Sequence, residues 1–542
     1  MSRPTTVTQP DQLPSPWAPL RGRQFRSLWA AFLGSQLVVW MNTVGAATAI
    51  AELGGSSTLV ALVQTATSLP AVLLALVAGA VTDIVDRRRL LVATQAWMLV
   101  STATAAAVTL AGLATPASIL LATFALGAGM AASIPAFQSL TPELAGPGQL
   151  AAGVALNSVA INLARAVGPA LAGVVIAALS AGALFATEAA AVVLIIALLL
   201  ALRPASRSAD QAPEHVVEAV RAGARFVRFS PGVRAVLTRA LLFVTGASAF
   251  WALLPVVAFG PLDLGSSGLG ILVGCAGGGA IAGATLLPRV RRRMGLDLTV
   301  AAGTAALAAA LAALALVRDP VPAAFAAFAG GAGWLAVLST LNTAAQLAAP
   351  DWVRGRALAA FQFSFQGGLA GGALVWGLVA DGFGIEAALF AAAVGLVLGL
   401  TAAAGASLRG LEDPDLSPAS AWTEPTLDVD PADAGPVLVT LEYRVNAADA
   451  ESFVAAMDEL GRIRRRDGAR QWSLYEDLED PGRYLETFAV DSWREHLRQH
   501  DRMTVADLEV ERRAKSFHSG PGEPEARHML AASAALRARR RA

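Results

Sequence analysis

Twelve apolar runs, six on either side of one charged stretch, constrain this chain more than any other feature. They lie near residues 27–50, 57–82, 90–113, 117–140, 151–179 and 182–202, then near 233–260, 267–288, 297–317, 321–347, 356–379 and 385–408. A hydrocarbon core of ~30 Å is crossed by about 20 helical residues. Inside that core every backbone N–H and C=O must find an internal partner, which leaves helices as the fold for runs of this length. The expectation is an all-α membrane protein of twelve transmembrane helices in two six-helix halves, 27–202 and 233–408, joined by a polar middle loop, 203–232.

Composition agrees. Hydrophobic residues make up 55% of the chain and charged residues 15%, whereas soluble domains carry about 25% charged residues. The formal net charge is zero, so no nucleic-acid partner is expected, and the lipid bilayer is the partner that composition indicates. Cys275 is the sole cysteine, which excludes an internal disulfide and any site built from several thiolates. The sole lysine, Lys515, lies in no G-x-x-x-x-G-K-[ST] motif, so no fused ATPase is expected. No cofactor and no metal are expected. Residues 1–26 are rich in proline, lack the apolar core of a secretory signal, and are expected to form a disordered cytoplasmic leader.

Arginine placement orients the helices. The leader carries Arg21, Arg23 and Arg26, and the loop after the second run carries Arg87, Arg88 and Arg89. The middle loop adds Arg203, Arg207, Arg221, Arg225 and Arg228, and the later even-numbered connections add Arg289, Arg291, Arg292, Arg293, Arg354 and Arg356. Odd-numbered connections carry Arg318 alone. By the positive-inside rule both termini and the middle loop are expected in the cytoplasm. An offset of 204 residues also superimposes the halves: Gly79 falls on Gly283, Arg87–Arg89 on Arg291–Arg293, Gly168 on Gly372 and Gly173 on Gly377. Asp83 falls on Leu287, so the second copy has lost the acid. Duplicated six-helix halves are a common plan for secondary transporters, with substrate held near the midplane.

Beyond a linker at 409–436 rich in Pro, Asp and Ser, the sequence changes character. VLVTLEYRV alternates as a strand, ADAESFVAAMDELGRIRR has helical period, ARQWSLYED and GRYLETFAV are strands around Asp480-Pro481-Gly482, SWREHLRQHDRMTVADLEVERRAKSF is a second helix, and RHMLAAS a last strand. The order β-α-β-β-α-β predicts a small ferredoxin-like cytoplasmic domain over 437–535.

GAVTDIVDRRR, with Gly79, Asp83 and Arg87–Arg89, resembles the loop signature between helices two and three of the major facilitator superfamily. IPAFQSLTPELAGPGQLAAGVALNSVAINLARAVGPALAGVVIAAL and PDWVRGRALAAFQFSFQGGLAGGALVWGLVAD resemble its transmembrane secretion effector branch, which includes enterobactin-exporter-like and macrolide-efflux-like proteins. The likeness covers residues 21–408, and the tail resembles the antibiotic-biosynthesis-monooxygenase type of α+β domain. It implies the major facilitator fold and alternating-access export of a small amphiphilic molecule, a drug or a siderophore-like metabolite, driven by protons. An importer or uncoupled facilitator, or a membrane-tethered enzyme or sensor, is the alternative. Two positions depart from the pattern: helix four (ATFALGAGMAASIPAFQSL) lacks an arginine, and Ile84 stands after Asp83 where other members often have arginine.

The resemblance assigns Asp83 to a gate against the start of helix eleven, where Asp351, Arg354 and Arg356 stand, because exposed helix N–H groups favour an anion. It assigns Gly168, Pro169 and Gly173, after Arg165, to an exporter-type helix-five motif; close packing explains the same small residues. Arg165 lies mid-helix, where a charge is costly and functional by default. Glu188 is the acid well inside an apolar run of the first half, and the two stand either as a structural pair or as a proton-coupling site. Polar and aromatic candidates for a cavity are Gln36, Trp40, Asn42, Asn157 and Asn162, then Trp251, Asn342, Gln346, Gln362, Gln366 and Trp376. In the tail, His496 and His500 share a helix face and read as surface histidines rather than a metal site with His518 or His528. No nucleophile or flavin motif accompanies them, so the tail reads as a regulatory or homodimerisation domain rather than an enzyme.

Overall fold

A computed structural model describes residues 17–146, 149–202, 216–408, 410–411, 414–419 and 434–532, with the side chains at 75–84, 151, 166, 216–220, 222 and 351 outside the description. Most of the leader, the first part of the middle loop and the centre of the linker fall outside it too. The first half comprises α1 (Arg23–Glu52), α2 (Ser57–Ile84), α3 (Arg87–Leu110), α4 (Pro116–Ala145), α5 (Leu150–Ala178) and α6 (Ala181–Leu200). After α7 (Val216–Phe229) come α8 (Pro231–Phe259), α9 (Gly265–Leu316), α10 (Pro320–Leu347), α11 (Asp351–Phe383) and α12 (Ile385–Ala402).

Among the described residues eleven helices are long and apolar enough to cross a membrane, one fewer than the twelve runs. The difference is α9. Its 52 residues would extend ~78 Å if straight, more than twice the bilayer core. Gly295 breaks it, at φ 69° and ψ −179°, a conformation that glycine tolerates. Its two arms are the eighth and ninth spans.

Close helix approaches hold each half together. A side chain at Gly279 of α9 would overlap the carbonyl oxygen of Phe328 on α10, and one at Gly331 would overlap that of Ala276 on α9. Lipid is as apolar as leucine, so this contact of small residues supplies the packing that burial supplies in water. The repeat is visible in its arginines. Arg87 at the start of α3 pairs with Glu143 near the end of α4. Arg291, its counterpart, donates to Ser339, Thr340 and Thr343 of α10 at 3.0–3.1 Å. Arg88 donates through Nε to the Leu199 carbonyl of α6 at 3.1 Å, where the helix C-terminus favours a cation. A buried pair unforeseen from sequence, Arg239 and Asp297 at 2.6 Å, ties α8 to the second arm of α9, and Asp297 also accepts from the Leu408 N–H beyond α12.

The tail forms β1 (Val437–Arg444), α13 (Ala450–Asp467), β2 (Gln471–Glu476), β3 (Arg483–Val490), α14 (Trp493–Asp501), α15 (Val505–Lys515) and β4 (Ala526–Leu530). The sheet order is β2-β3-β1-β4 with every neighbouring pair antiparallel, as the β-α-β-β-α-β reading requires. One correction concerns the second helix, which is two: Thr504 starts α15 with a capping box to Asp507. Val437, Val439, Leu441 and Tyr443 alternate into the core beneath α13. A second correction concerns the middle loop, which contains α7. The tail docks there: Arg225 of α7 pairs with Glu495 at 3.2 Å, Arg466 lies over Phe226 at 5.6 Å, and Arg502 lies over Trp352 of α11 at 4.9 Å.

His496 is an interior rather than a surface residue, and His500 is half-buried. His496 is 1% exposed, with His500 and His528 at ring-centroid distances of 4.8 and 4.9 Å. Burial, and then His528, push the His496 imidazole down to about 4; burial, and then His496, push His500 down to about 3. A base whose folded pKa is lowered loses stability as pH falls below its unfolded value near 6.5, because the unfolded chain then binds more protons. By pH 4 His496 alone is expected to destabilise the tail by about 3 kcal/mol. Hydrogen-exchange protection factors across 437–532 in the full-length chain, taken relative to the intrinsic amide rate at each pH, should therefore fall from pH 7 to pH 4.5, with α14 leading; unchanged protection factors would contradict the buried, neutral cluster.

Candidate functional site

The two halves meet along a seam whose contacts run toward the end bearing the α1–α2 turn, opposite the arginine-rich turns. Gly173 of α5 faces Gly270 of α9: a Cβ on either residue would stand 3.2 Å from the other's Cα. Gly377, the counterpart of Gly173 by the 204-residue offset, crosses α2, with a Cβ position 2.9 Å from the Thr58 Cα. Glycine thus lets helices of opposite halves touch at both quasi-equivalent crossings. At this end the Thr58 N–H also donates to Asp381 of α11 at 3.0 Å, an acid set at the N-terminus of α2. Further in, Thr65 Oγ1 donates to the Ala370 carbonyl at 2.8 Å.

Gly168 and Gly372 perform the matching task within each half. Gly168 brings α5 against α1, its Cβ position 2.9 Å from the Trp40 Cβ, and Gly372 brings α11 against Thr245 and Ser248 of α8. Beside these crossings Trp40, Val44, Pro169, Trp251, Pro255 and Leu269 line a void of about 20 Å³, room for little more than one water molecule. This end of the seam is closed.

Inward from the void, aromatic rings bridge the halves. Trp40 of α1 and Trp251 of α8 meet edge to face at 5.6 Å. Trp251 meets Trp334 of α10 at 5.7 Å, and Trp334 meets Phe365 of α11 at 5.8 Å. Arg165, sixteenth of the 29 residues of α5, places its guanidinium carbon 5.2 Å from the Trp40 ring centre. Its Nε is buried without a hydrogen-bond partner. Trp334 was missed in the sequence, where it sits in an apolar run among Gly330, Gly331 and Gly333.

Glu188 is fully buried, and its Oε2 accepts from Asn42 Nδ2 at 3.1 Å; Thr123 Oγ1 in turn donates to Asn42 Oδ1 at 3.2 Å. Glu188 and Asn42 therefore lie among α6, α1 and α4, inside the first half. This corrects two expectations: Arg165 and Glu188 form no ion pair among the described residues, and Asn42 faces its own half rather than the seam. Asn157 Nδ2 likewise donates to Thr141 of α4 at 2.9 Å, and Trp376 Nε1 to the Thr245 carbonyl of α8 at 2.7 Å, both bonds between neighbouring helices of one half. Asn162 donates to the Ser158 carbonyl of its own helix. Gln36 and Gln366 are half-buried, while Asn342, Gln346 and Gln362 are exposed, as is Gln138 of α4, the unforeseen counterpart of Asn342. Gly79 and Asp83 lie in the last two turns of α2, and their side chains, like that of Asp351, fall outside the described residues.

Two repeated six-helix halves joined along a seam define a multi-pass membrane transporter of the major facilitator fold. The chain matches the transmembrane secretion effector family over residues 14–535 and belongs to it. That match extends through the tail. The chain is 29% identical over 277 residues to the staphyloferrin A transporter of Staphylococcus aureus, covering 50% of this chain and 68% of that protein. Among solved structures, the nucleoside transporter NupG aligns at a TM-score of 0.59 with 14% identity, covering 71% of this chain and 99% of that one. A bacterial homolog of the lysosomal transporter Spinster, inward-facing and occupied, aligns at 0.58 with 13% identity over 72% and 97%. At these identities the structural likeness is one of fold. Transport, not catalysis, is the activity this family membership carries.

Proposed function

We propose that the chain exports a small amphiphilic molecule, a drug or a siderophore-like metabolite, across the bacterial inner membrane by alternating access, driven by protons. The observation that carries this reading is the asymmetric seam, sealed at one end by the Gly173–Gly270 and Gly377–Thr58 crossings and lined further in by an aromatic wall from both halves. Arginine placement puts the termini and the opposite end in the cytoplasm. The exposed amides of Gln138, Asn342, Gln346 and Gln362 fit a water-filled vestibule on that side, because an amide in contact with lipid tails is left unpaired. In this reading Asp83, near the end of α2, is the gate residue that meets the start of α11 when the cytoplasmic side closes, and the tail is an accessory domain suited to regulation or homodimerisation.

Glu188 is the proton site in this reading. A second, uncoupled reading draws on one observation, that Glu188 faces Asn42 rather than the seam. Everted vesicles with an imposed pH gradient separate them. The full chain should accumulate a xanthene dye, fluorescein or rhodamine 123, and a protonophore should collapse the uptake. Glu188→Gln should lower gradient-driven uptake about tenfold while leaving downhill exchange intact. Gradient-driven uptake retained by the variant would assign coupling elsewhere, and accumulation of neither dye would contradict the exporter.

A further inference from the structure

We infer that the transported molecule carries a carboxylate and that Arg165 is its counter-ion at the seam. The inference rests on the exporter reading and names its substrate class. An arginine at the centre of a membrane helix is disfavoured by ~2.5–3.5 kcal/mol or more, and such residues normally lie against an acid. Arg165 does not. Glu188, the acid well inside an apolar run of the first half, is committed to Asn42, and no described side chain neutralises the guanidinium. What faces it is the Trp40 ring, and a cation–π contact offsets about 0.5–2 kcal/mol. The charge is therefore held ready by packing: Gly168, one turn further on, presses α5 against Trp40 and fixes the distance between ring and guanidinium.

The surroundings define the rest of the ligand. A guanidinium fork matches a planar carboxylate with two parallel hydrogen bonds, a geometry that a compact ammonium does not reproduce. Beside it, Trp40, Trp251, Trp334 and Phe365 form an apolar aromatic wall, its rings meeting edge to face, shared by both halves. Trp334 Nε1 is a second buried donor without a partner in the same wall. Charge on one side and rings on the other suit an amphiphile whose carboxylate adjoins a planar apolar part. Closing the seam around such a ligand neutralises a charge that the empty site leaves uncompensated, so substrate itself favours the transition between states.

Fluorescein and rhodamine 123 share a xanthene skeleton and differ in charge, which makes them the probes. Wild-type protein should transport fluorescein with a KM about tenfold below that for rhodamine 123, the size expected of one charge-assisted contact. Arg165→Gln should remove that preference by raising the fluorescein KM about tenfold relative to that for rhodamine 123, and Arg165→Lys should restore part of it. Equal loss for both dyes, or a wild-type preference for rhodamine, would overturn the anion site while leaving the exporter standing; transport of neither would sink the exporter reading instead. Equilibrium dialysis of fluorescein against the full chain in nanodiscs reads the same contact without transport. If Arg165→Gln fails to elute as a single species, Trp334→Phe keeps an aromatic ring, though a smaller one, and removes the donor. It should raise the fluorescein KM severalfold, and an unchanged KM would count against the site.

Discussion

Gly331→Leu, or Gly279→Leu, is expected to prevent the second half from folding. The added Cβ would overlap a backbone carbonyl oxygen of the partner helix, Ala276 for Gly331 and Phe328 for Gly279. Backbone does not rotate away as a side chain does, so α9 and α10 must separate and lose the interface on both sides of the crossing. Overpacking alone typically costs about 1–3 kcal/mol, and a backbone clash lies at or beyond the upper figure. At ~3 kcal/mol the folded-to-unfolded ratio falls roughly a hundredfold. The yield of monodisperse full-length protein should collapse, while Gly371→Ala on α11, where a Cβ meets open space, should match the parent. Normal yield for Gly331→Leu would mean the α9–α10 crossing is wrong.

Gly173→Leu should behave in the opposite way, folding normally and failing in transport. Gly173 packs across the seam, so its neighbour Gly270 belongs to the other half and each half's own core is untouched. At 3.2 Å an alanine asks the partner to give by a few tenths of an ångström, but leucine fills the space in which the helices meet. The sealed end should stay open, and gradient-driven dye uptake should fall about tenfold or more with wild-type elution and thermal stability. Gly377→Leu, at the quasi-equivalent crossing with Thr58, should reproduce the effect. If either variant transports normally, the seam contacts do not limit the cycle.

The scaffold was written plainly in the sequence because a bilayer imposes one length on every span. Apolar runs gave all twelve spans, and two of them, 267–288 and 297–317, run on as the single helix α9 across Gly295. The arginine and glycine repeat also carried through: Arg87 and Arg291 each reach the helix that follows in its half, and Gly173 and Gly377 occupy matching crossings. The charged loop after α2 reads differently in three dimensions, since Arg87 and Arg88 serve packing within the first half and Asp86 caps α3 by accepting the Arg89 N–H.

The rest depended on direction and partner, which spacing does not specify. Asn42 and Trp40 are two residues apart on α1 yet face opposite surroundings, one the interior of the first half and the other the seam. Trp334 lacked any polar neighbour to mark it. VVEAVRAGARFVRF has helical period, but its charge masked α7 as loop, and its purpose as the tail's docking site becomes visible only with Glu495 and Arg466 beside it. Arg239 and Asp297 are far apart in the chain, and no spacing in the sequence marks them as partners.

Alternating access across the seam is the central claim, and a reversible cross-link tests it most directly. In a Cys275→Ser background, Gly173→Cys with Gly270→Cys places two thiols at the closest contact between the halves. Oxidation should abolish dye uptake in everted vesicles and reduction should restore it, because a bolted seam blocks release on the far side. Full uptake with the cross-link in place would contradict the account.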